Sequence, residues 1–133
     1  MILDTNAISA MSYENRKIED KNIELVLQES LQPYLSVPVL AEYQYGLINS
    51  RHQKSLETWL DQLKLSWPVL TLDVMTAHHY AEIRNQLKKK GRMIPVNDLW
   101  IGALALQHQL PILSEDRHFD YIDGVERIGW KRK

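Results

Sequence analysis

Met1-Ile2-Leu3-Asp4-Thr5-Asn6 opens the chain with a short apolar run that Asp4 halts. A run with no polar face to alternate is the pattern of a strand buried on both sides at the centre of a sheet. Similar short runs recur. Tyr34-Leu35-Ser36-Val37-Pro38 reads as a second strand, Val69 to Leu72 as a third, and Pro111-Ile112-Leu113-Ser114 as a fourth; Val125-Glu126-Arg127-Ile128 reads as a fifth, at an edge. Helical patterns lie between them. Strands alternating with helices predict a parallel sheet covered on both faces, an α/β fold with four to five strands. In such sheets ligands sit beyond the carboxyl ends of the strands, so chemistry is expected just after each apolar run.

The helices follow from apolar spacing and end signals. Ala7 to Met11 forms a short one. Asn22 caps a helix whose apolar face is Ile23, Val26, Leu27 and Leu31. Pro38 stops the second strand and enters the first turn of a helix with Leu40, Tyr43 and Leu47 in register. Leu56, Trp59, Leu60 and Leu63 mark another. Asp73 caps a long helix with Val74, Ala77, Ala81 and Leu87 inward, ending in Lys88-Lys89-Lys90-Gly91, cations and a glycine stop. Asn97 caps a helix that is apolar almost all round from Leu99 to Leu106, and so is buried. Ser12 to Asn22, the most polar stretch, reads as a mobile connection.

The chain has 133 residues, 44% of them apolar and 25% charged, which fits one globular domain over residues 1–133. There is no cysteine, which excludes a disulfide scaffold, a thiolate nucleophile and a Cys-ligated zinc site. Sixteen Lys plus Arg against 17 Asp plus Glu leave a net charge of −1, so global charge makes no case for nucleic acid. No apolar run approaches the roughly 20 residues of a membrane helix, and the N-terminus has no signal-peptide core. A cytoplasmic protein with no membrane partner is expected.

Acidic residues stand where the fold predicts a crevice. Asp4 closes the first strand and Asp116 follows the fourth; Glu42 and Asp98 lie in the first or second turn of apolar helices that follow extended segments. Each has a plainer role open to it: Asp4 as a helix cap, Asp98 as a partner of the helix dipole, Asp116 as a loop acid paired with Arg117. Together they point to a cation. Carboxylates within ~4 Å of one another repel by about 4 kcal/mol per pair at an effective dielectric of 20. Hard oxygen donors without cysteine favour Mg²⁺ or Mn²⁺, which can activate water and neutralise a phosphoryl oxygen.

Four segments resemble, in order, the motifs of PIN-domain ribonucleases, and among these the VapC-type toxins of bacterial toxin–antitoxin pairs. They are Ile2-Leu3-Asp4-Thr5-Asn6, Ser36-Val37-Pro38-Val39-Leu40-Ala41-Glu42-Tyr43, Pro95-Val96-Asn97-Asp98-Leu99-Trp100-Ile101-Gly102-Ala103 and Leu113-Ser114-Glu115-Asp116-Arg117-His118-Phe119. The resemblance implies a three-layer α/β/α PIN-like fold and Mg²⁺- or Mn²⁺-dependent cleavage of RNA phosphodiesters. It implies that Asp4, Asp98 and Asp116 hold one or two ions, with Glu42 binding directly or through water. It further implies that an activated water attacks phosphorus in line and leaves a 5′ phosphate. Asn6 and Ser114 match polar residues that orient the acids or water, and Glu115 departs from the usual basic or amide residue.

Arg117 and His118, beside Asp116, are candidates for RNA contact. The cations of Lys88 to Arg92 and the tail Lys131-Arg132-Lys133 read first as helix-end charge and a solvated terminus. The resemblance also implies a homodimer and a cognate antitoxin. Two other classes match less well: a phosphoacceptor signalling domain wants adjacent acids after the first strand and a late lysine, and a haloacid-dehalogenase-type phosphatase wants an acid where Asn6 stands. A PIN fold acting only as a binding module is separated from a nuclease by assay.

Overall fold

A computed structural model describes residues 1–12, 21–29 and 32–131. Most of the expected mobile connection, together with Leu31, Arg132 and Lys133, lies outside the described residues. The strands are β1 (Ile2–Leu3), β2 (Leu35–Ser36), β3 (Val69–Leu70), β4 (Ile112–Leu113) and β5 (Arg127–Ile128). The helices are α1 (Thr5–Met11), α2 (Ile23–Glu29), α3 (Val37–Leu47), α4 (Gln53–Ser66), α5 (Val74–Lys90) and α6 (Val96–His108), with a 3₁₀ turn at Arg117–Tyr121.

Every strand pair is parallel: β1 with β4, β4 with β5, and β2 with β3. A parallel bridge between Ile2 and Tyr34 joins the two groups, giving the order β3-β2-β1-β4-β5. Both residues of β1, β2 and β4 are fully buried. Neighbouring residues of a strand point to opposite faces, so helices must cover both sides, the three-layer α/β/α arrangement. The half-buried β3 and β5 are the edges. From β1 the chain leaves toward β2 on one side and reaches β4 on the other. The order therefore reverses between β1 and β4, and a crevice opens beyond their carboxyl ends.

The expected signals place most of the helices. Pro38 sits in the first turn of α3, and Tyr43 and Leu47 are buried. Leu56 and Leu60 bury the inner face of α4. In α6, Leu99, Ile101, Ala103 and Leu104 have no exposure. Gly91 ends α5 at φ 66°, the left-handed conformation that glycine adopts without strain. Among the described residues no helix is long and apolar enough to cross a membrane.

The inward face of α5 matches the expected one only at Leu87. Val74 is 85% exposed, and Ala77 and Ala81 also face solvent; the buried residues are Thr76, Ile83 and Leu87. Side-chain bonds fix the helix rotation. Asp73 and Thr76 form a reciprocal capping box, and the Thr76 hydroxyl reaches Gln107 Oε1 of α6 at 2.5 Å. Tyr80 then stacks on Trp100 with ring centroids 4.1 Å apart. Leu87 of the expected stripe is buried as expected, but the stripe's alanines offer less apolar area than Ile83, which takes the core beside it.

Candidate active site

Asp4 does two things at once. As the residue before α1, its Oδ1 accepts from the Thr5 amide at 2.8 Å. Its Oδ2 accepts the Ser114 hydroxyl at 2.7 Å, across the gap between β1 and β4. Ser114 is fully buried and acts as a hub: its Oγ also accepts from Asn6 Nδ2 at 3.1 Å and from the Asp116 amide at 2.9 Å. One hydroxyl thereby ties the first strand's end, the first helix and the loop after β4. Asp116 in turn starts the 3₁₀ turn, where its Oδ1 accepts from the His118 amide at 3.0 Å.

The other two acids come from helices. Asp98 stands in the first turn of α6 and is only 7% exposed. Glu42 stands in the second turn of α3 on the exposed rim. Asn97 does not cap α6, whose preceding residue is Pro95. Its Nδ2 instead donates to Glu42 Oε2 at 2.8 Å and to the Pro38 carbonyl at 3.3 Å, binding the α6 N-terminus to α3. The capping expectation failed because Pro95 already supplies the extended entry and the amide side chain found a tertiary acceptor.

Asp4, Glu42, Asp98 and Asp116 all line one open cleft of about 620 Å³, with Thr5, Asn6 and Lys131. Glu115 lines it too, but its Oε2 accepts from the Trp130 amide at 2.8 Å, so the carboxylate also holds the C-terminal segment. A Cβ on Gly129 would stand 2.3 Å from that oxygen, so a side chain there would displace the Glu115 carboxylate. A second, more apolar hollow of about 580 Å³, lined by Met1, Val26, Tyr34 and Pro111, lies away from these acids.

The electrostatics are those of a crowded anionic site. Burial is the main reason that the Asp4 carboxyl is pushed up to about 6; the Asp98 and Glu42 charges add to it, and the bonds from Ser114 and Thr5 oppose it. Asp98 is likewise raised, first by burial, with the hydrogen bond from His118 opposing and the charges of Asp116 and Glu42 adding. Among the described lining residues Lys131 is the one Lys or Arg against five carboxylates. The Thr5 hydroxyl is buried with no hydrogen-bond partner at the same place. An oxygen-rich, cation-poor donor set with a spare hydroxyl fits a hard divalent ion.

His118, which the sequence marked for RNA, turns into the cluster. Its Nδ1 lies 3.1 Å from Asp98 Oδ2 and 3.0 Å from Asp116 Oδ1. Arg117 is exposed and does not line the cleft. Of the basic run at the end of α5, Lys90 pairs with Asp123 at 2.7 Å and, just beyond the helix, Arg92 lies over the Tyr121 ring. Those two contacts are structural, while Lys88 and Lys89 face solvent. Nothing in local spacing signals the Asn97–Glu42 bond or the inward turn of His118, because both depend on how distant elements pack.

Comparison with known proteins is consistent with this geometry. Residues 1–125 match the model of the PIN domain. The chain is 30% identical over 112 residues to Ribonuclease VapC5 of Mycobacterium tuberculosis, covering 77% of this chain and 79% of that protein. It is 32% identical over 124 residues to Toxin FitB of Neisseria gonorrhoeae, covering 87% of each. The crystal structure of FitAcB from Neisseria gonorrhoeae superposes with a TM-score of 0.83 at 28% identity, covering 96% of this chain and 95% of that one.

Proposed function

The chain belongs to the PIN-domain family, and from that premise we propose that it is a Mg²⁺- or Mn²⁺-dependent endoribonuclease, the toxin of a toxin–antitoxin pair. The observation that carries this reading is the convergence of Asp4, Glu42, Asp98 and Asp116 on one cleft at the reversal of strand order, with little positive charge to offset them. The names of the relatives, a ribonuclease and a toxin, support the same reading. Its partners are an RNA substrate, a cognate antitoxin and a second copy of the chain, in the cytoplasm.

Asp4, Asp98 and Asp116 would hold the ion, with Glu42 at the rim directly or through water. When bound, it supplies Lewis acidity, lowering the pKa of water and neutralising charge on the phosphoryl group. The chain's own residues prepare that site. Ser114 fixes the Asp4 carboxylate and the Asp116 backbone in one geometry, and Asn6 fixes the hydroxyl. Asn97 holds Glu42 against α6. Lys131 is the lining cation that a phosphate of the RNA backbone would meet at the cleft wall.

The test is cleavage of mixed tRNA, mRNA and rRNA by purified protein. Cutting is expected with Mg²⁺ or Mn²⁺, none with EDTA, and at least ~10²-fold less with folded Asp98→Asn. Cleavage at the wild-type rate by Asp98→Asn, or in EDTA, would refute the assignment.

A further inference from the structure

We propose that His118 is a nitrogen ligand to the divalent ion, and that it biases this site toward Mn²⁺ over Mg²⁺. The inference rests on the metal-dependent reading above. Nδ1 of His118, one carboxylate oxygen of Asp98 and one of Asp116 all lie within 4.8 Å of one another. The two edges that meet at Nδ1 are 3.0 and 3.1 Å. An octahedron with bonds near ~2.1 Å has adjacent donors about 3.0 Å apart, so these edges already have the length of a coordination shell.

Hydrogen bonding alone satisfies this arrangement poorly. Nδ1 carries at most one proton, and two acceptor oxygens face it at nearly equal distance. Asp116 Oδ1 already accepts from the His118 amide. One cation among the three donors serves all of them. The 3₁₀ turn that begins at Asp116 brings the imidazole back over the acid, so the two ligands are set by one local structure.

The consequence is selectivity. Mg²⁺ prefers oxygen donors in a strict octahedron and sheds water reluctantly, whereas first-row transition ions accept imidazole readily. A site of carboxylates alone would discriminate less between the two.

The experiment is Mn²⁺ binding to the purified full chain, followed by calorimetry and by pulsed electron paramagnetic resonance, which reads imidazole nitrogen coupled to the ion. Wild type is expected to bind Mn²⁺ with a nitrogen coupling. His118→Gln is expected to lose that coupling, to bind Mn²⁺ about tenfold or more weakly, and to lose less Mg²⁺ affinity. His118→Asp, which offers oxygen in place of nitrogen, should retain the ion without the coupling. Bound Mn²⁺ with no nitrogen coupling in wild type, or a coupling that persists in both variants, overturns the proposal and leaves the nuclease reading standing. No binding of either ion by wild type overturns both. Should neither variant fold, the wild-type spectrum alone decides, since among the described residues His118 is the histidine grouped with Asp98 and Asp116, its Nδ1 3.1 and 3.0 Å from their oxygens.

Discussion

Replacing Asp4 with Asn should make the metal-free protein more stable while abolishing its activity. Asp4 is 4% exposed and its carboxyl is raised from 3.8 to about 6. The native state thus holds its proton more tightly than the unfolded chain. Between those two values the folded protein binds more protons, so stability falls as pH rises from about 4 to about 6 and stays lower above it. At ~1.36 kcal/mol per pKa unit, the ionised carboxylate costs the native state about 3 kcal/mol at pH 7 and only about 0.5 kcal/mol at pH 4. Asn removes that cost. It also disturbs one hydrogen bond, because its amide cannot accept from both Thr5 and Ser114, a loss of about 1–1.5 kcal/mol. The net expectation is a gain of about 1–2 kcal/mol at pH 7 and a loss of about 0.5–1 kcal/mol at pH 4. Urea denaturation in EDTA at both pH values measures it, and the difference between variant and wild type should change by about 2.4 kcal/mol. A difference independent of pH would show that Asp4 is not a strained, buried charge.

Three further outcomes follow from the same geometry. Ser114→Ala removes a buried hydroxyl that serves three partners; it should cost about 2–3 kcal/mol, raise the Asp4 carboxyl further and lower RNA cleavage about 10–100-fold, read by denaturation, NMR titration and assay. Asp73→Ala breaks the α5 capping box and the bond to Gln107 far from the cleft, so the melting temperature should drop a few degrees with cleavage unchanged. Mn²⁺ at 100 times its Kd should stabilise the wild type by about 2.7 kcal/mol at pH 7, reversibly with EDTA. The gain should shrink at pH 5, where a proton on Asp4 competes with the ion, and calorimetry at the two pH values checks it.

Local chemistry was legible where neighbours along the chain decide the outcome. The short apolar runs became parallel strands, fully buried in β1, β2 and β4, and Pro38, Asp73 and Gly91 stand at the helix ends they were expected to mark. Local reasoning failed where two choices were equal in pattern and a distant contact chose between them. Of the α5 stripe Val74, Ala77, Ala81 and Leu87, only Leu87 is buried; with the Thr76–Gln107 bond and the Tyr80–Trp100 stack, Thr76 and Ile83 take the places of the other three. Asn97 had the chemistry of a cap and became a strut to Glu42.

The acids themselves could be read from their positions after strands and in first turns, because in a parallel sheet all strand ends face one way. What joins them could not. Ser114 meets Asp4 across 110 positions of sequence and Asn6 across 108, and His118 reaches back to Asp98 in another helix. Periodicity and capping act over one or two turns of chain and so fix which elements form and where they stop. The placing of one hydroxyl or one imidazole among several carboxylates depends on how the sheet closes and how α6 docks, and only the packed structure settled it.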